Sequence, residues 1–419
     1  MRAIEPTERH LRILVNDLGV GGTETHLSRI LPILVKQYGW QIKLFLFSDQ
    51  LDMAPALYDA GVKIYYPKFP AFIKGLFGQK GTRFLNTLMG FFRVLIDFCI
   101  DRTSITHFFL ARAYIVGMCA AILTRLPADK YMSRRSLNDY QQSVFGARRI
   151  ETWLHTKMRR ILVNSQKITN QLVEHEGVSP DKIIKIYNGL QEIPACYQDR
   201  AQYRQVLIQE QGLSPDTWIF IMVANLIPYK GHVDLLSALS ELTPKDTGGR
   251  PWRLLCVGTD AGSGYAAELR QQAVALGVGD KVSWLGKQST VFALYAGSDI
   301  GFLCPYRNEG FSNALLEGMA VGLPLIVTDI GGNAEAVANR DTGLVVPAQN
   351  PRALAAAIST LCQSPDTISA YGAAGQDRVK RRFSLSQCVS AYHTVYTSMS
   401  SVDTAPQEME SEIMEISDV

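Results

Sequence analysis

Short apolar runs alternate with helical segments along this chain, and the whole alternation occurs twice. Residues 11–15 read as a strand, followed by a Gly-rich turn at 19–22 and a helix over 23–37. Further strands fall at 41–47, 62–65 and 160–163, with a strand-like run at 104–107 and a last strand end at 185–189. A second series begins at 218–224 and continues through 253–257, 282–285, 300–303 and 325–329. Strands separated by helices pair in parallel through right-handed crossovers, so each series specifies an α/β layer structure. A chain of 419 residues is too long for one core. The break between the series lies at 190–203. The expected units are an N-terminal domain over 1–195, a C-terminal domain over 196–382, a crossover helix over 383–400 and a tail over 401–419. That tail has six acids and no Lys, Arg or aromatic residue, and is expected to stay unstructured.

The net charge of +3 conceals an asymmetry. Residues 1–200 hold 27 Lys and Arg against 17 Asp and Glu, a balance of +10, while 201–419 hold 15 against 22, or −7. A basic first half suits an anionic substrate or a membrane surface, although solubility alone accounts for it equally well. No nucleic-acid-binding module accompanies the excess of cations. The seven cysteines form no CxxC pair and no metal-ligand spacing, and several sit in apolar runs as free thiols do. The first ten residues are polar and no run of 18 uncharged apolar residues occurs. Cytoplasmic placement is expected, with a peripheral position on the inner face of the membrane as an option.

The segment 309–317, Glu-Gly-Phe-Ser-Asn-Ala-Leu-Leu-Glu, carries the most chemical information. Ser312 is placed to cap a helix over 314–320 that Gly322 and Pro324 stop. A helix opening after a tight turn offers unpaired backbone N–H groups to a phosphate. Glu309 then lies in the loop and Glu317 about two turns along the helix, so two carboxylates can read hydroxyls on either side of a diphosphate. The run EGFSNALLEGMAVGLPLIVTDIGGNAEAV resembles the signature of retaining glycosyltransferases of the large family four type, glycosyl transferases group 1, in its polysaccharide and glycolipid branch. That resemblance implies the GT-B fold: two Rossmann-like α/β domains with parallel sheets facing across a cleft.

Other residues gain roles through the same resemblance. Gly21 and Gly22, in Gly-Gly-Thr-Glu24, would face the donor diphosphate; as a dinucleotide fingerprint the turn fails, because Glu24 replaces the third glycine. Lys230 matches the family's phosphate lysine, but Asn225 stands where the family usually has Arg, so one full charge is missing. Arg307 or Arg134 are candidate replacements. His107 matches a histidine near the donor sugar, and Asn188-Gly189 a hinge turn. The expected donor contacts are Gly21, Gly22, Asn225, Lys230, Glu309, Gly310, Phe311, Ser312, Asn313 and Glu317. His107, Lys230 and Glu309 are the expected catalytic groups, and Arg112, Arg134 and Arg135 the expected acceptor side.

No Asp-x-Asp metal motif is present, so neither a bound metal nor a cofactor is expected. The co-substrate is a nucleotide diphosphate sugar, a UDP-sugar in the favoured case. The acceptor is expected to be a lipid-linked or saccharide hydroxyl. A sugar-nucleotide epimerase, or a binding protein with weak or no transfer, are the alternatives. Residues 69–100 interleave aromatics with Lys and Arg. They read as a core helix plus basic loop in preference to a bilayer-surface segment, because Gly78 and Gly81 interrupt the helix.

Overall fold

The computed structural model describes residues 9–138, 141 and 146–398; the tail 401–419 lies outside them. Thirteen strands form two sheets among the described residues. The N-terminal sheet contains β1 (Arg9–Val15), β2 (Trp40–Leu46), β3 (Lys63–Tyr65), β4 (Ile105–Phe109), β5 (Lys130–Arg134), β6 (Arg160–Val163) and β7 (Ile183–Lys185). Its order is β3-β2-β1-β4-β5-β6-β7. The C-terminal sheet contains β8 (Trp218–Val223), β9 (Trp252–Val257), β10 (Val282–Gly286), β11 (Ile300–Leu303), β12 (Leu325–Thr328) and β13 (Gly343–Val346) in the order β10-β9-β8-β11-β12-β13. Every pairing is parallel. Central strands are buried on both faces, which is why 219–222 and 325–327 read as unbroken apolar runs without alternation. This is the α/β, two-sheet arrangement that the double series of strands implies.

In each sheet the strand order reverses once, between β1 and β4 and between β8 and β11. Loops leaving the carboxyl ends of strands diverge at such a switch point and open a crevice. The turn 19–22 follows β1, the loop 224–231 follows β8, and 304–312 follows β11. All three sequence motifs therefore meet at one place.

The helix Leu385–Thr397 returns to the N-terminal domain, where Val389, Tyr392, Val395 and Tyr396 complete its core. The crossing is fixed at Leu190, whose N–H donates to Phe383 O at 2.8 Å while its carbonyl accepts from Leu385 N–H at 2.9 Å. A Cβ on Gly189 would lie 2.7 Å from both Cys388 Cβ and Leu385 Cα, so only glycine lets the strand exit and the returning helix touch.

Residues 71–100 form one helix interrupted by non-helical backbone at Gly78 (φ 60°, ψ −175°). The loop expected there is absent, and the kink at a single glycine absorbs the break. Four of the seven cysteines are buried and all are free.

Candidate active site in the interdomain cleft

A cleft of about 440 Å³ opens between the two switch points. Gly21, Gly22, Arg135, Asn164 and Asn188 line it from the N-terminal domain, and Asn225, Lys230, Lys287, Glu309, Asn313 and Glu317 from the C-terminal one. Two helix N-termini face it. The helix Gly22–Tyr38 begins at extended Gly21, and the helix Asn313–Ala320 begins after Ser312, whose side chain makes no capping bond. Both therefore leave first-turn N–H groups for another acceptor.

The cleft's charges are arranged in pairs. Lys230 Nζ donates to Glu309 Oε2 at 2.6 Å. Burial opposes the lysine's charge, yet the adjacent carboxylate outweighs burial and lifts its pKa above the ordinary value. Arg29 Nη2, on the N-terminal domain's first helix, donates to Glu317 Oε1 at 2.6 Å. Burial raises the Glu317 pKa while Arg29 pulls it the other way. Arg29 Nη1 is buried without an acceptor in the structure. Arg135 differs from both: its guanidinium donates to neutral partners, Asn188 Oδ1 at 2.5 Å and the Tyr392 hydroxyl at 3.4 Å, and forms no ion pair among the described residues. A half-buried cation without a counter-ion is able to receive an anion.

The domains are stitched at the same place. Asn188 Nδ2 donates to Phe311 O and to Asn313 Oδ1, both at 2.8 Å, and Asn313 Nδ2 reaches Gly22 O at 3.2 Å. A Cβ on Gly310 would overlap the carbonyl oxygen of Arg135, so glycine here sets how closely the domains approach.

Several sequence expectations are corrected. His107 does not reach the cleft; it is fully buried, bonded through Nδ1 to the Tyr396 hydroxyl at 2.6 Å and through Nε2 to the Ser133 hydroxyl at 2.9 Å. Burial, with Arg135 adding, pushes its pKa down to about 3, so it is a satisfied neutral core histidine. Arg134 also faces away, into a buried cluster where it bonds Glu151 at 2.9 Å and Glu176 at 3.2 Å. Arg134 ends β5 and Arg135 follows it, so the strand's alternation sends the two arginines to opposite sides. Glu151, His155 and Glu176 have ligand atoms within 4.8 Å of one another, but the guanidinium already occupies their shared face and would repel a metal ion. Arg112 bonds Asn16 Oδ1 at 3.4 Å beside β1 and does not line the cleft. Arg307 lies over the Tyr306 ring, so neither it nor Arg134 replaces the missing arginine. Phe311 offers the cleft its backbone, because its ring packs between Tyr187 and Phe383 at 5.1 and 5.2 Å. Sequence reasoning missed Arg29, Asn164 and Lys287, which lie in segments that carry no local motif.

Two sheets meeting at a shared switch-point cleft define this chain as a protein of the GT-B fold. Residues 204–378, most of the C-terminal domain, match the family described as Glycosyl transferases group 1. HepE of Anabaena, solved in complex with UDP-glucose, superposes with a TM-score of 0.78 at 19% identity, covering 93% of this chain and 100% of that one. WaaG, a glycosyltransferase involved in lipopolysaccharide biosynthesis, gives 0.69 at 14% identity, covering 92% and 99%. D-inositol 3-phosphate glycosyltransferase of Rhodococcus jostii is 31% identical over 218 residues, 51% of this chain and 47% of that protein. The chain spans about half the length of the curated relatives it matches.

Proposed function

We propose that this chain is a retaining glycosyltransferase that moves a hexose from a UDP-sugar to a hydroxyl of a lipid-linked or saccharide acceptor. The observation that carries this reading is the Lys230–Glu309 pair at 2.6 Å, beside the N-terminus of the helix Asn313–Ala320. When a diphosphate enters, the ammonium group turns to the phosphates and the freed carboxylate orients the hexose hydroxyls. Arg135 supplies the second positive charge that Asn225 lacks, and the backbone amides of both helix N-termini complete the anion cradle. Glu317, held by Arg29, takes the ribose hydroxyls. The leaving phosphate oxygen accepts the acceptor's proton as the glycosidic bond forms on the same face, so the reaction requires no carboxylate nucleophile. HepE's complex with UDP-glucose and the curated relatives' name as glycosyltransferases support donor and reaction class.

Purified protein incubated with UDP-hexoses tests this through UDP release with and without acceptor. In Glu309→Ala, turnover should fall about 10²–10³-fold while UDP binding changes little, because the stabilisation lost is specific to the reacting sugar. Unchanged turnover would overturn the assignment. Absence of UDP release with every donor, despite tight UDP binding, would favour a binding protein.

A further inference from the structure

The helix Ala71–Ile100 carries two opposite rows at four-residue spacing. Asn86, Gly90, Val94 and Phe98 face inward; Val94 and Phe98 join the core around Phe47, and a Cβ on Gly90 would meet the Phe47 ring. Phe84, Leu88, Phe92, Ile96 and Ile100 face outward, with Phe84 66%, Ile96 59% and Ile100 79% exposed. Seventeen residues of helix, from Phe84 to Ile100, make this stripe about 24 Å long. It continues onto the helix Ala111–Leu123, where Ile122 and Leu123 are also exposed. Arg102 joins the two helix ends by donating to Thr124 O at 3.1 Å and Arg125 O at 2.9 Å.

The charge around this face has one sign. No acid occurs between Asp59 and Asp97, whereas Lys63, Lys68, Lys74, Lys80, Arg83 and Arg93 do. Asp97 and Asp101 turn inward to Arg12 and Lys43. The exposed Lys80, Arg83, Arg93, Arg102 and Arg125 have no ion-pair partner among the described residues. A second copy of the chain would set these cations against one another. An apolar stripe of this length with a basic rim matches the boundary of a bilayer that carries anionic headgroups. No helix among the described residues is long and apolar enough to cross a membrane.

We infer that Phe84, Leu88, Phe92, Ile96 and Ile100, rimmed by Arg83 and Arg93, dock the protein flat on an anionic lipid surface. Gly90 packs beside Phe47, one residue past the end of β2, so the Phe84 end of the stripe projects beyond the sheet edge on which the cleft opens. Docking through this face brings the cleft mouth toward the lipid. The link to a lipid-linked acceptor rests on the function proposed above; the docking itself does not.

Co-sedimentation of the full chain with vesicles tests the inference. The wild type should pellet with phosphatidylcholine vesicles containing about a third phosphatidylglycerol and stay in solution with phosphatidylcholine alone, and added salt should weaken the binding. Phe84→Ser/Phe92→Ser/Ile96→Ser and, separately, Arg83→Glu/Arg93→Glu should each lower the bound fraction about tenfold or more, with unchanged melting temperature and UDP release. A wild type that ignores anionic vesicles, a triple variant that binds as well as wild type, or a wild-type dimer that the triple variant converts to monomer would each overturn it. A chain that binds vesicles yet releases no UDP keeps the docking and refutes the proposed reaction; the converse result does the reverse.

Discussion

Glu317, on the C-terminal domain's cleft helix, holds Arg29 of the N-terminal domain at 2.6 Å. One carboxylate is therefore shared between the cleft and the domain interface. The pair is largely removed from water, so each partner's charge depends on the other. Arg29→Ala leaves the buried Glu317 without a counter-ion and is expected to weaken UDP binding about tenfold, or ~1.4 kcal/mol, by calorimetric titration. Equal affinity in variant and wild type would show that the pair is only structural.

Arg134 and Arg135 are neighbours with different environments, and their substitutions should separate stability from binding. Arg134→Leu strands two buried carboxylates, Glu151 and Glu176, and is expected to cost about 3–5 kcal/mol in chemical denaturation. Arg135→Ala removes hydrogen bonds to neutral partners only, and should change stability by about 1 kcal/mol while lowering affinity for a UDP-sugar about tenfold. Similar stability losses with intact UDP-sugar binding in Arg135→Ala would rule out its role as anion receptor.

The fold was legible in the sequence because parallel strands buried on both faces leave unbroken apolar runs, and these fixed β8 to β12 within a residue or two. β5 and β13 escaped notice. β5 carries Lys130, Ser133 and Arg134 within five residues, so its apolar signal is diluted by buried polar groups. Lys230, Glu309 and Glu317 line the cleft: Lys230 and Glu309 each stand beside a glycine in a turn, and Glu317 lies about one turn into the helix that opens there. His107 and Arg134 do not, since the face a side chain takes along a strand depends on pairing that no local spacing encodes. Arg29 is one cation on an amphipathic helix, and only the second domain gives it a partner.

Asn225 lines the cleft five residues before Lys230, at a position where a cation would add to the anion cradle. Asn225→Arg is expected to tighten UDP binding about tenfold, because a charge-assisted bond replaces a neutral one. Its effect should be the same in Arg135→Ala if the two residues act independently at different phosphate oxygens, and larger if they are interchangeable; a double-mutant cycle on UDP affinity reads which holds. Weaker binding in Asn225→Arg with Arg135 intact would mean that the cleft has no phosphate at this position.

Glu24 supplies a pH dependence of definite sign. Burial raises its pKa from 4.5 to about 7; its own backbone N–H and Arg135 oppose the shift, and Asp17 adds to it. The unfolded chain releases this proton near 4.5 and the folded chain near 7, so the stability contributed is complete below 4.5 and is lost as pH rises through about 7. Glu24→Gln keeps the neutral form at every pH. The melting temperature of Glu24→Gln relative to wild type should therefore climb between pH 4.5 and 7 and level off above that. The Glu24 carboxyl also folds over Gly21, whose helix N-terminus faces the expected diphosphate, so its ionisation should repel the donor. Affinity for UDP-glucose, whose diphosphate does not titrate in this range, should drop roughly three- to tenfold across neutral pH in wild type and stay level in Glu24→Gln. Parallel curves for the two proteins, in melting and in binding alike, would place Glu24 outside the donor's field.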